Sequence, residues 1–84
     1  MTSKAIPPVV LVVWEDAHSE DAWTSLEDLD TRPLSCQTVG YLVQKTKRVV
    51  TVSSTLSEDG QACCTLHIPR AWVRELRYLD RRKR

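Results

Sequence analysis

Eighty-four residues with a net charge of +1 allow one domain around a small core. With 42% apolar and 27% charged residues, the composition is that of a soluble globular chain. The apolar run Val9 to Trp14 is too short to cross a bilayer, and the single lysine before it and acids after it do not make a secretory leader. A cytoplasmic protein without a membrane partner is expected.

In chain order, Pro7-Pro8 favours an extended entry, and Val9 to Trp14 is Val-rich and short, which predicts a strand covered on both faces. From Glu15 to Pro33 β-branched residues are scarce. Thr24 stands three residues before Glu27, the spacing of a capping box, with Leu26 and Leu29 at i, i+3; a short helix or helical turn over 25–30 is predicted. Ser35 to Lys45 is the second strand. Gly40 inside it marks a bulge, a bend or the close approach of another backbone. After a turn at 45–47, Arg48 to Thr55 is the third strand, with both faces partly covered. Glu58-Asp59-Gly60 supplies the positive-φ residue of a hairpin turn. The next strand, Gln61 to Ile68, places Ala62, Cys64, Leu66 and Ile68 on an expected core face and Gln61, Cys63, Thr65 and His67 on the other. Beyond Pro69, the apolar spacing of Trp72, Val73, Leu76 and Leu79 fits an amphipathic helix, while a single 3₁₀ turn and a short strand fit the length equally well.

Three cysteines include the adjacent pair Cys63–Cys64. Strand neighbours point to opposite faces, so a bond between them needs a distorted turn; three reduced thiols acting as small apolar groups are expected. There is no Cys-x-x-Cys and no zinc-type His–Cys spacing. The charge is lopsided. Seven acids and no lysine or arginine lie between Glu15 and Asp30, while Arg70 to Arg84 holds seven bases against Glu75 and Asp80. The molecule is therefore dipolar rather than basic.

Ile68-Pro69-Arg70-Ala71-Trp72-Val73 resembles the Ile-Pro-x-x-Tyr-Val segment that closes SH3 domains, where a 3₁₀ turn leads into the last strand. The resemblance implies a mainly β fold: a small SH3-like five-stranded barrel over residues 1–80. An acidic loop or short helix would lie between strands 1 and 2, and residues 81–84 would form a basic tail. The alternative is an α+β fold, an antiparallel sheet with a C-terminal helix. Trp72 falls where SH3 domains line their polyproline groove, whereas the Ala-Leu-Tyr-Asp-Tyr motif of the peptide-binding members is absent. A second resemblance runs through Trp14-Glu15-Asp16-Ala17, Trp23-x-x-Leu26, Val39-Gly40-Tyr41-Leu42 and Ile68-Pro69. This pattern is similar to small uncharacterised proteins encoded by bacteriophages and prophages. It implies a phage-type origin, with the host cytoplasm as the compartment.

Enzyme chemistry finds little support. The two glycines, Gly40 and Gly60, make no phosphate loop, and no Ser, Thr or Cys has a base at a recognised spacing. His18 and His67 read as ordinary exposed histidines. Glu15, Asp16, Glu20 and Asp21 offer oxygen ligands to a hard cation but lack the alternating calcium-loop pattern. No metal or cofactor is expected. The favoured reading is a non-enzymatic protein-binding module for a host or viral partner, with Trp14, Asp21, Trp23, Glu27 and Asp28 as the contact residues. Against that surface stands a lid, with Trp23 tucked into the barrel. The alternative function is nucleic-acid binding, with Arg81, Arg82, Lys83 and Arg84 lying along phosphates.

Overall fold

The computed structural model describes residues 6–80. Five strands form one antiparallel sheet: β1 (Val9–Asp16), β2 (Leu34–Lys45), β3 (Val49–Leu56), β4 (Ala62–Pro69) and β5 (Val73–Tyr78), in the order β4-β3-β2-β1-β5. The fold is mainly β. The ambiguous segment after Pro69 is a 3₁₀ turn at Arg70–Trp72 followed by strand β5, so the C-terminal helix of the alternative fold does not form. Strands β4 and β5 stay the two edges of the sheet, which is not closed into a barrel.

Why the sheet bends is visible in β2. Its pairing with β3 shifts register between Leu42 and Gln44, an irregularity that lets a strand change direction. Gly40 meets the third of its sequence-based expectations. A Cβ there would stand 2.8 Å from the carbonyl oxygen of Ser53, so the two backbones approach more closely than any side chain permits. The bend brings Val10, Val12 and Trp14 of β1 against Val50 and Val52 of β3 and Ile68 of β4. Cys36, Leu42, Val73 and Leu76 pack on that cluster. The alternate residues of β1 are half-buried, so both faces of this interior strand are partly covered.

The turns follow the residues that specify them. Thr46 Oγ1 accepts from the N–H groups of Arg48 (3.1 Å) and Val49 (3.0 Å) and closes the β2–β3 turn. Gly60 has φ +89° at the β3–β4 turn, where Ser57 N–H donates to the Gln61 carbonyl at 2.8 Å. At the far edge Asp80 Oδ2 accepts from Val9 N–H (3.2 Å), and Leu79 N–H donates to the Val9 carbonyl (2.8 Å), which ties the end of β5 to the start of β1.

Three expectations are corrected. The capping box does not form: Thr24 Oγ1 donates to the Ala22 carbonyl at 3.1 Å, and the helical element is a single 3₁₀ turn, Leu26–Asp28, with no side-chain cap. Of the expected core face of β4, only Ile68 is buried; Ala62 and Cys64 are exposed and Leu66 is 39% exposed. The reason is topological. β4 is an edge strand, and past Ser53 its partner β3 no longer pairs with β2, so Ala62 and Cys64 have no layer to pack against, while Leu66, opposite the buried Val52, is left open by the sheet edge itself. Lastly, Cys63 and Cys64 do not point apart. Cys64 sits at φ 60°, in the left-handed region that costs a non-glycine residue about 1–2 kcal/mol, and its Sγ lies 3.4 Å from that of Cys63.

Candidate functional site

The segment between β1 and β2 is where sequence and structure concentrate charge. It has little regular structure, yet it is bonded across its base. His18 Nε2 lies 2.6 Å from the Arg32 carbonyl, and Glu20 Oε2 accepts from Asp30 N–H at 3.1 Å. Asp30 and Arg32 form an ion pair at 3.0 Å, and Asp30 Oδ1 also accepts from Arg32 N–H. The Arg32 side-chain hydrogen bond, followed by that backbone bond, holds the Asp30 carboxyl down at about 2. In turn the Asp30 carboxylate raises the pKa of Arg32. Both ends of the loop are thus fastened to each other.

Between this base and the 3₁₀ turn before β5 lies an open groove of about 490 Å³, lined by Glu15, Asp16, His18, Asp30, Arg32, Pro33, Trp72 and Arg74 among others. Trp72, 40% exposed, forms its apolar wall. Trp72 is held by stacking on Trp14, with ring centroids 6.4 Å apart and planes 11° from parallel. Trp14 is itself fixed by donation from Nε1 to Thr38 Oγ1 at 3.0 Å. Arg74 clasps Glu15 through Nη2 at 2.7 Å and Nε at 2.9 Å, and reaches the Ala71 carbonyl through Nη1 at 3.2 Å. The groove thus joins an aromatic wall to charges of both signs, of which Glu15 and Asp30 are already paired with Arg74 and Arg32.

The predicted contact residues separate into two groups. Trp14 is buried beneath the groove and acts as the support of Trp72. Trp23 is fully exposed and does not tuck in as a lid; Leu26 beside it is 86% exposed. Asp21, Glu27 and Asp28 are exposed on the same loop, and none of these four predicted residues lines the groove. Arg81, Arg82, Lys83 and Arg84 lie outside the described residues. Of the groove residues, Trp72 was legible only through its resemblance to the SH3 closing segment. Arg32 and Arg74 carried a local signal, the Asp30-x-Arg32 spacing and the alternation of β5, that neither strand nor motif reading picks out.

Other chemistry is sparse. Among the described residues no three His, Cys, Asp or Glu side chains converge as a metal set would. Glu15 is taken by Arg74 and Glu20 by the Asp30 amide, which separates the acids considered as cation ligands. Thr51 Oγ1 lies 2.9 Å from His67 Nδ1, but Thr51 is 4% exposed and directly opposite His67 in the ladder; the bond satisfies a buried hydroxyl. Among the described residues no helix is long and apolar enough to cross a membrane. Comparison with known proteins finds no matching family, curated protein or solved structure.

Proposed function

We propose that this chain is a non-enzymatic protein-binding module whose docking surface is the acidic loop together with the groove at its base. The observation that carries the reading is the full exposure of Trp23, beside an 86% exposed Leu26, on a loop fastened at both ends and rich in carboxylates. Exposed aromatic and aliphatic groups on an ordered element are anchors in search of a pocket, and surrounding acids steer a basic partner toward them. The partner is a host or viral protein presenting a basic segment with an apolar anchor site. An SH3-like arrangement with an acidic insert supports the same reading: Ile68-Pro69 precedes the 3₁₀ turn, and the edge order places the loop beside that turn. A phage-type protein working in the host cytoplasm is supported only by the separate resemblance of Trp14-Glu15-Asp16-Ala17, Trp23-x-x-Leu26, Val39-Gly40-Tyr41-Leu42 and Ile68-Pro69 to small phage and prophage proteins.

The test is a parallel capture from host lysate with identification by mass spectrometry. The wild-type chain, Trp23→Ala, the neutralised D21N/E27Q/D28N variant and a chain lacking residues 81–84 are compared at low salt. The partner is expected to be lost with Trp23→Ala, weakened by neutralisation, and retained without the tail. Retention by both loop variants, with a low-salt gel shift of DNA or RNA that vanishes on removing Arg81 to Arg84, would replace this reading with nucleic-acid binding.

A further inference from the structure

Cys63 and Cys64 are exposed on β4 with their Sγ atoms 3.4 Å apart. Strand neighbours normally send their Cβ atoms to opposite faces. Here the left-handed φ of 60° at Cys64 turns its side chain toward that of Cys63. The surrounding backbone keeps that geometry in place. Ser53, 1% exposed, donates from Oγ to the Cys63 carbonyl at 3.3 Å and bonds the Thr65 hydroxyl on the other side. Ladder pairs Thr55–Cys63 and Ser53–Thr65 are intact, so the strained residue is pinned between two registered neighbours. Such a conformation persists only where its surroundings over-determine it, and it clusters at functional positions. Burial does not explain it, because neither cysteine is buried.

We propose that Cys63 and Cys64 are a vicinal dithiol modification site, oxidised as one unit by a low-molecular-weight disulfide to a ring-closing Cys63–Cys64 disulfide. In the first step one protein thiolate, its proton released to solvent, attacks a sulfur of the small disulfide. The small S–S bond breaks, one small thiolate leaves, and a mixed disulfide forms. The neighbouring protein thiol then loses its proton and attacks the protein sulfur of that mixed disulfide, expelling the second small thiolate. Two protein thiols are oxidised, one small disulfide is reduced to two thiols, and the two protons released are taken up by the two leaving thiolates. Closing the bond brings the sulfurs from 3.4 Å to about 2.0 Å, and because adjacent Cα atoms stand only about 3.8 Å apart, closer than in most disulfides, the ring also twists the backbone between Cys63 and Cys64. The hydrogen bond with Cys64 pushes the Cys63 thiol above its ordinary range, so attack by Cys63 accelerates as pH rises. Cys36 stands apart on β2, half-buried opposite Trp14.

The full chain, with all three thiols reduced at the start, is incubated with oxidised glutathione at mildly alkaline pH, alkylated and read by intact mass and peptide mapping. Expected is a monomer lighter by two hydrogens, with Cys36 alone alkylated and residues 63 and 64 joined. In Cys64→Ala the resolving thiol is gone, and a glutathione adduct on Cys63 accumulates; Cys36→Ala closes the ring at the wild-type rate. Persistence of glutathione adducts in the wild type at the level seen in Cys64→Ala overturns the proposal. So do cross-linked dimers, or three thiols still alkylated after incubation.

Discussion

Ile68 and Leu66 stand two residues apart on one face of β4, yet the first is fully buried and the second is 39% exposed. Their substitutions are expected to differ accordingly. Ile68→Ala removes a side chain from the centre of a core of six buried apolar residues and should cost about 2–5 kcal/mol. Leu66→Ala, at an edge, should cost under about 1 kcal/mol, near the range of surface substitutions. Urea unfolding of both variants measures this, and equal losses would mean that the β3–β4 hairpin packs as deeply at Leu66 as at Ile68. Asp30 offers a second residue-level check. Its carboxyl, held at about 2 by the Arg32 side-chain and then backbone hydrogen bonds, lies below its ordinary 3.8. A depressed carboxylate contributes to loop order above its ordinary value, and that contribution fades as pH falls through about 2. NMR titration of the side-chain carboxyl should show this midpoint, and Arg32→Gln should return it toward 3.8. No change on removing the guanidinium would show that the pair is not formed in solution.

At the scale of elements, the first four strands were legible because β-branched runs, Thr46, Asp59-Gly60 and Pro69 mark where they begin and end, whereas the spacing after Pro69 fitted a helix as well as strand β5. Alternation told less. It assigns a face to every second residue but not a layer to cover that face, so Ala62, Cys64 and Leu66 were grouped with Ile68 although only the last meets the core. The left-handed Cys64 was illegible for a related reason: nothing in a Cys-Cys pair specifies φ, and the groups that bond around it, such as Ser53 Oγ on the Cys63 carbonyl, come from across the ladder. The groove was legible only in part, since Trp72, before β5, and Glu15, on β1, come to line one groove through strand pairing that no local pattern encodes. Gly40 is the clearest case of an element depending on one position. A methyl group there would stand 2.8 Å from a backbone oxygen rather than a yielding side chain, so β2 or β3 must shift. Gly40→Ala is expected to destabilise by about 1–3 kcal/mol. Denaturant unfolding tests this, and a stability gain, as from removing glycine flexibility alone, would show that the two strands are not held so close.

For the whole molecule the governing feature is the separation of charge around a small open sheet. Acids gather at the end of β1 and on the β1–β2 loop, and of these Glu15 and Asp30 are matched by Arg74 and Arg32. Among the described residues Asp21, Glu27 and Asp28 form no ion pair, and Trp23 stands exposed in their midst. Charges of one sign on an exposed loop set up a local potential that attracts small cations and repels small anions, over a reach of about 10 Å at 0.1 M salt. Trp23 can report that potential directly. The difference in fluorescence between the wild type and Trp23→Phe isolates its emission, since Trp14 is buried and stacked on Trp72. At low ionic strength caesium should quench this difference signal more strongly than iodide, relative to each quencher's action on free tryptophan. The contrast should shrink toward nothing near 1 M salt, where the screening length falls to about 3 Å. The D21N/E27Q/D28N variant should lose the contrast at every salt concentration while leaving Trp23 open to an uncharged quencher. Equal quenching by both ions at low salt would mean that the loop carries no field able to steer a basic partner, and the proposed docking surface would then reduce to its apolar residues.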